Sequence, residues 1–304
     1  MSHESQTQAA QPSTRLALID WLSVSVVPPD GSGLDWIADA LLSVFGIGRD
    51  CWQVTGRGWF GYRQRINLGE LGLLAHGGER QRGTVHFELN AHACARITDW
   101  QAVRGWGEAK GARISRVDLA HDDFDGTAVN IQQMLTWNRD GGFASGGRLP
   151  KARLVDDLES GEGKTFYVGK RQHGKLLRGY EKGKQLGKPD DRWFRVEVEL
   201  HNKGRVIPWE ILTEPGRYLA GAYPCLGFLH AEQCRIATQR RALELSYGRM
   251  ERWVSDAAGK ALNAMMTAHH GDALSVMARL VKEGFPKRLI GFSADDLNQL
   301  GEVP

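Results

Sequence analysis

The chain has 304 residues, a formal net charge of +3, a pI near 8.7 and a mean hydropathy of −0.39. With 41% hydrophobic and 25% charged residues it can bury one large core or two ordinary ones, which excludes a collagen-like, disulfide-stapled or wholly disordered protein. No run reaches the roughly 20 apolar residues of a spanning helix, and the start, MSHESQTQAAQPSTR, lacks the basic-then-apolar pattern of a secretory signal. A cytoplasmic protein with no membrane partner and a disordered tail over residues 1–14 is expected. Cys51, Cys94, Cys225 and Cys234 show no CxxC spacing, so they read as reduced structural thiols.

In chain order, residues 16–27 (LALIDWLSVSVV) are apolar and β-branched and end at Pro28-Pro29, which predicts a strand. Ser32 and Asp35 resemble a capping box opening a helix with Leu34, Ile37, Ala38, Leu41, Leu42 and Phe45 at helical spacing. From Trp52 to Leu89, short runs punctuated by glycines predict an antiparallel meander. A helix over Asp99–Lys110, stopped by Gly111, leads to a strand over Arg113–Asp122, then a helix over Thr127–Asn138. After a Gly/Ser-rich loop come strand-like runs at Thr165–Val168, Leu176–Glu181 and Trp193–His201. Residues 231–268 and 271–283 carry helix formers. No internal repeat is legible.

Three stretches could carry chemistry. In Arg116–Asp123 (RVDLAHDD), strand alternation puts Arg116, Asp118, Ala120 and Asp122 on one face. In Arg195–Leu200 (RVEVEL), Arg195, Glu197 and Glu199 share a face. If these strands are neighbours, their carboxylates suit Mg²⁺ or Mn²⁺, which take hard oxygen ligands; otherwise they are two solvated faces neutralised by Arg116 and Arg195. The third stretch lies in the basic segment Lys164–Lys188, with eight cations against one acid, Glu181. Extended, it aligns Arg178, Tyr180, Lys182 and Lys184. Such cations favour an ionised tyrosine and can hold phosphate oxygens, though a surface tyrosine among solvating lysines is the simpler reading.

Other motifs fail. Gly163-Lys164-Thr165 ends like a P-loop, but Leu158 stands where the first glycine belongs, so no nucleotide cofactor is expected. There is no His-x-His pair, HExxH or Gly-x-Ser-x-Gly.

The succession IDWLSVSV (19–26), ISRVDLAHDDFDG (114–126), TFYVGKRQHGKLLRGYEKGKQ (165–185) and FRVEVELHNK (194–203) resembles the replication initiation factor family, the rolling-circle initiators of certain plasmids and filamentous phages. The resemblance runs over residues 16–205, with echoes in SYGRMERWV (246–254) and EGFPKRL (283–289). It implies that Tyr180, in Arg178-Gly179-Tyr180-Glu181-Lys182, is the nucleophile of a DNA nicking and rejoining reaction through a 5′-phosphotyrosyl link. Asp118 and Glu197, joined by Asp122 and Glu199, are the implied ligands of a divalent Mg²⁺ or Mn²⁺. Gly179 departs from the β-branched residue expected there. Lys170, Arg171, Lys175, Arg178, Lys182, Lys184 and Arg195 are the expected contacts to origin DNA in a bacterial host.

The expected architecture is α+β: a central antiparallel sheet flanked by helices, a Rep-nuclease-like catalytic domain over residues 15–207, then a helical region over 208–304. Origin recognition, homodimerisation and recruitment of a host helicase are open to that region. A non-catalytic DNA-binding regulator of replication or transcription and an RNA-binding protein are the rival readings.

Overall fold

The computed structural model describes residues 17–29, 32–145, 147–230 and 239–282, with backbone alone for 239–249 and 251–253. The tail over residues 1–14, Cys234 and the stretch 283–289 lie outside the described residues. Two compact units divide the chain: residues 1–203 with 207–236, and residues 204–206 with 237–304.

The first unit holds a 10-stranded antiparallel sheet. Its strands are β1 (Leu18–Val26), β2 (Trp52–Thr55), β3 (Gln64–Leu68), β4 (Gly72–His76), β5 (Val85–Leu89), β6 (Arg113–Asp123), β7 (Ala152–Val155), β8 (Thr165–Lys170), β9 (Lys175–Glu181) and β10 (Phe194–His201). The order across the sheet is β2-β3-β4-β5-β1-β6-β10-β9-β8-β7. It reads alike from both edges: each half is a central strand, a helix and a four-strand meander whose last strand lies beside that central strand. The repeat unseen in the sequence is therefore present in the topology.

One face of the sheet is apolar. Leu22, Val24, Phe87, Val117, Leu119, Val198 and Leu177 are all fully buried there. Helices α1 (Gly33–Phe45), α3 (Trp100–Ala109) and α4 (Ile131–Arg139) belong to the same core, and Phe45 meets Phe87 and Trp106 edge-on at 5.2 and 5.4 Å. Gly179 explains itself here. It faces α4, where a Cβ would come within 2.9 Å of Met134 Cε, and β9 runs regularly through it.

Some expected elements shift. Ser32 does not cap α1; its hydroxyl donates to the Pro29 carbonyl, and Leu42 stays exposed. α4 begins later than Thr127 because the Asp123 carboxylate accepts the N–H groups of Gly126, Ala128 and Val129 and folds them as a loop, leaving Asn130 to cap the helix. β7 and the short helix α2 (Ala91–Arg96), capped by Asn90, were not expected. Lys182 and Lys184 leave the strand: Lys182–Gln185 form a short helical turn, α5, which breaks the expected extended alignment beyond Tyr180.

A further short helix, α6 (Pro215–Ala220), closes the helices of the first unit. The second unit contains α7 (Gln239–Ala268) and α8 (Ala273–Leu280), the latter capped by Asp272. Among the described residues no helix is long and apolar enough to cross a membrane.

Candidate active site on the polar face of the sheet

The other face gathers the charged residues. β6 and β10 are neighbours, with Asp118 opposite Glu199, Ala120 opposite Glu197 and Asp122 opposite Arg195. On the far side of β10, Arg195 faces Tyr180 and Glu197 faces Arg178. Strand alternation therefore brings both predicted carboxylate rows and the predicted nucleophile onto one surface. These acids are not solvated: Asp118 and Glu197 are 1% exposed and Glu199 2%.

Each carboxylate has a guanidinium, as buried charges require. Arg116 grips both oxygens of Asp118 and reaches Glu199 at 3.3 Å. Arg178 Nη2 donates to Glu197 at 2.7 and 2.8 Å. Arg195 binds both oxygens of Asp122 at 2.7 Å, where Trp193 Nε1 also donates. Glu199 takes Arg171 at 2.8 Å and His201. Burial alone would raise Glu199, but the bonds from His201 and Arg171 and the charge of Arg116 hold its carboxyl down at about 2. Asp118 goes the other way. Burial, with Glu197 and Glu199 nearby, pushes it up to about 8 in spite of Arg116.

Tyr180 is only 6% exposed. Arg178 and Lys182 stand over its ring at 5.4 and 5.6 Å. The expectation that these cations favour the ionised phenol is reversed by the surroundings: burial first, then Glu197, push the hydroxyl above its usual range against the pull of Arg195 and Arg178.

The predicted DNA contacts are scattered in their roles. Lys170 is exposed, and the Arg171 side chain is 60% exposed even while paired with Glu199. Lys175 turns to the opposite face, donating to the Ala222 carbonyl at 2.7 Å with Nζ over the Tyr223 ring. Lys184 pairs with Glu181, and Lys182 bonds Gln185 Oε1. Arg178 and Arg195 are held by acids.

Asp20 was missed. A break in the β1–β6 register beside it lets it meet Arg195 Nη1 at 2.7 Å, and burial, with Glu197 nearby, raises its carboxyl against the charge of Arg195. The signal was present, an acid inside an apolar strand. Cys94 of α2 lies close enough that Asp20 and Asp118 add to the effect of burial in raising its thiol. A cleft of about 1100 Å³ opens beside this end of β1, with Asp20, Arg195, His92, Trp100 and Arg217 in its lining.

Comparison with known proteins bears on the fold and the family. A solved structure described as a rolling circle replication initiator protein from Geobacillus stearothermophilus shares the fold, with a TM-score of 0.56 and 23% identity over 73% of this chain and 98% of that one. No curated protein matches the chain. Residues 112–281 match the replication initiation factor family, so the sequence likeness begins at β6 and continues through α7 and α8. That match spans more than half of the 304 residues, and the chain belongs to the replication initiation factor family.

Proposed function

We propose that the chain initiates rolling-circle replication by nicking and rejoining origin DNA, with Tyr180 as nucleophile. The observation that carries this reading is the convergence of Tyr180, Arg178, Arg195, Asp118 and Glu197 on one sheet face beside an open cleft. Tyr180 Oη forms a bond to the scissile phosphorus while the bond to O3′ breaks, leaving a 5′-phosphotyrosyl link and a free 3′-OH. The phenolic proton has two carboxylate acceptors within electrostatic reach, Glu197 and Asp20. Arg178 and Lys182, already over the ring, are placed to meet the phosphate oxygens. The linkage conserves the phosphodiester, so a returning 3′-OH can close a circle without a nucleotide cofactor.

Asp118 and Glu197 supply the hard oxygen donors that Mg²⁺ or Mn²⁺ takes. The raised carboxyl of Asp118 is what a divalent cation would relieve. Among the described residues no three acidic, histidine or cysteine side chains form a group able to hold an ion, and guanidinium groups bond the oxygens of Asp118 and Glu197. Asp118 and Glu197 would hold the metal once Arg116 and Arg178 turn toward DNA. Bound, it would neutralise charge developing on the phosphate.

The test is incubation of the purified chain with supercoiled DNA of its own replicon and Mg²⁺ or Mn²⁺. Nicked circles with protein on the 5′ end are expected, and Tyr180→Phe should lower nicking at least ~1,000-fold while binding persists. Nicking at the parental rate by Tyr180→Phe would overturn the assignment. The burial of Tyr180 favours one rival, a DNA-binding regulator without chemistry; binding with no nicking by the parental protein would establish it.

A further inference from the structure

At the opposite edge and opposite strand end of the sheet from Tyr180, the β2–β3 connection carries Gly56-Arg57-Gly58-Trp59-Phe60-Gly61-Tyr62-Arg63. Trp59 and Tyr62 exchange both backbone hydrogen bonds, at 3.2 and 2.8 Å, around a two-residue tip. The central residues, Phe60 and Gly61, have φ of 43° and 85°, the left-handed pair of a type I′ turn. Asn, Asp or Gly normally fills the first position, because a bulky side chain is strained there. Phe60 is also 80% exposed. Neither conformation nor burial accounts for a phenylalanine at this point.

The tip is held firmly. Tyr62 stacks on His86 and its hydroxyl meets Thr84 Oγ1 at 2.8 Å, while Gln81 Nε2 donates to the Phe60 carbonyl. Trp59 packs edge-on against Phe60 at 4.9 Å, with the Arg65 guanidinium over the Trp59 ring at 5.5 Å. The adjoining β4–β5 connection adds Arg80 and Arg82 beside a single acid, Glu79. Arg57, Arg63, Arg80 and Arg82 are exposed, and none forms an ion pair among the described residues. The topologically equivalent β7–β8 connection is acidic, with Asp156, Asp157, Glu159 and Glu162.

We infer that this rigid tip is a second nucleic-acid contact, in which an unpaired DNA base stacks on Phe60 and the neighbouring phosphates lie on Arg57, Arg63, Arg80 and Arg82. An exposed aromatic among uncompensated arginines is the combination that binds single strands without regard to sequence. Six strand spacings separate β3, at the base of the tip, from β9, roughly 30 Å at about 4.8 Å per strand, so the tip would hold DNA well away from the cleavage position. The inference rests on the reading of the chain as a DNA-processing initiator.

The test uses the full chain and fluorescence anisotropy with a labelled mixed-sequence single strand and a blunt duplex across a salt series. Phe60→Asn suits the turn, so it should melt no lower than the parent, yet weaken single-strand binding roughly tenfold with little change on duplex. Replacing Arg57, Arg63, Arg80 and Arg82 together by Gln should lower the slope of log K against log salt by about 3. Parental nicking with parental single-strand affinity in both variants would overturn the inference and leave the proposed function standing. A parental protein that neither binds nor nicks DNA would overturn both.

Discussion

The two halves of the sheet share a topology and differ in how they treat charge. In the half from β6 to β10, Arg116, Arg171, Arg178 and Arg195 are each bound to a carboxylate that is nearly or fully buried. In the half from β1 to β5, Arg57, Arg63, Arg80 and Arg82 stand exposed around an aromatic tip. Counting cations would rank the second half as the main DNA surface, since residues 164–188 are the most basic stretch. Pairing with acids of β6 and β10 leaves Arg116, Arg171, Arg178 and Arg195 less available to phosphate than that count suggests. A guanidinium already bound to a carboxylate offers phosphate little unless the pair opens, whereas an exposed one releases counterions on binding.

Exchange at the compensated half should have the largest effects. Glu197→Gln removes the charge that faces Arg178 and acts on Tyr180, but keeps the shape. Nicking should fall at least ~100-fold, scored as phosphotyrosyl adduct on gels, with binding retained; unchanged adduct formation would confine Glu197 to folding.

Glu199→Ala tests the pairing as structure. It leaves Arg171 and His201 without their acceptor and Arg116 without its second partner. A loss of about 3 to 5 kcal/mol in urea unfolding is expected for removal of one partner from a buried pair. Glu88→Gln on the equivalent strand β5, whose carboxylate meets only His86 among the described residues, should cost less than about 1 kcal/mol.

Acid titration gives a smaller, graded version of the same test. Because the Glu199 carboxyl is held at about 2 when folded and lies near 4.5 when free, its contribution is complete above pH 4.5 and drains away as pH falls toward 2. That contribution is on the order of 3 kcal/mol, and Glu199→Gln should flatten this part of the stability curve. Asp118, raised to about 8, acts with the opposite sign. The native state keeps its proton longer than the unfolded chain, so stability from this group declines as pH rises from about 4 to 8.

Much of the fold was legible before the structure. The alternation in LSVSV and RVEVEL, the glycine-punctuated meander and the Gly111 stop mark elements whose causes are local. That Asp118 shares a face with Asp122, and Glu197 with Glu199, was legible too, because a strand's alternation declares which side chains share a face. The capping box at Ser32 and the start of α4 were misread where a side chain found a different backbone partner, as Asp123 did. α2 and β7 left only weak signals, being 6 and 4 residues long.

The sequence by itself determined the period of each strand, and so which residues could cooperate, because side-chain direction follows from backbone geometry within a few residues. Only the tertiary structure decided which strands are neighbours. That pairing buried the carboxylates, drew a guanidinium to each, reversed the expected titration of Tyr180 and brought Asp20 beside Arg195. Burial and charge pairing depend on residues far apart in the chain, and their net sign cannot be summed from local composition.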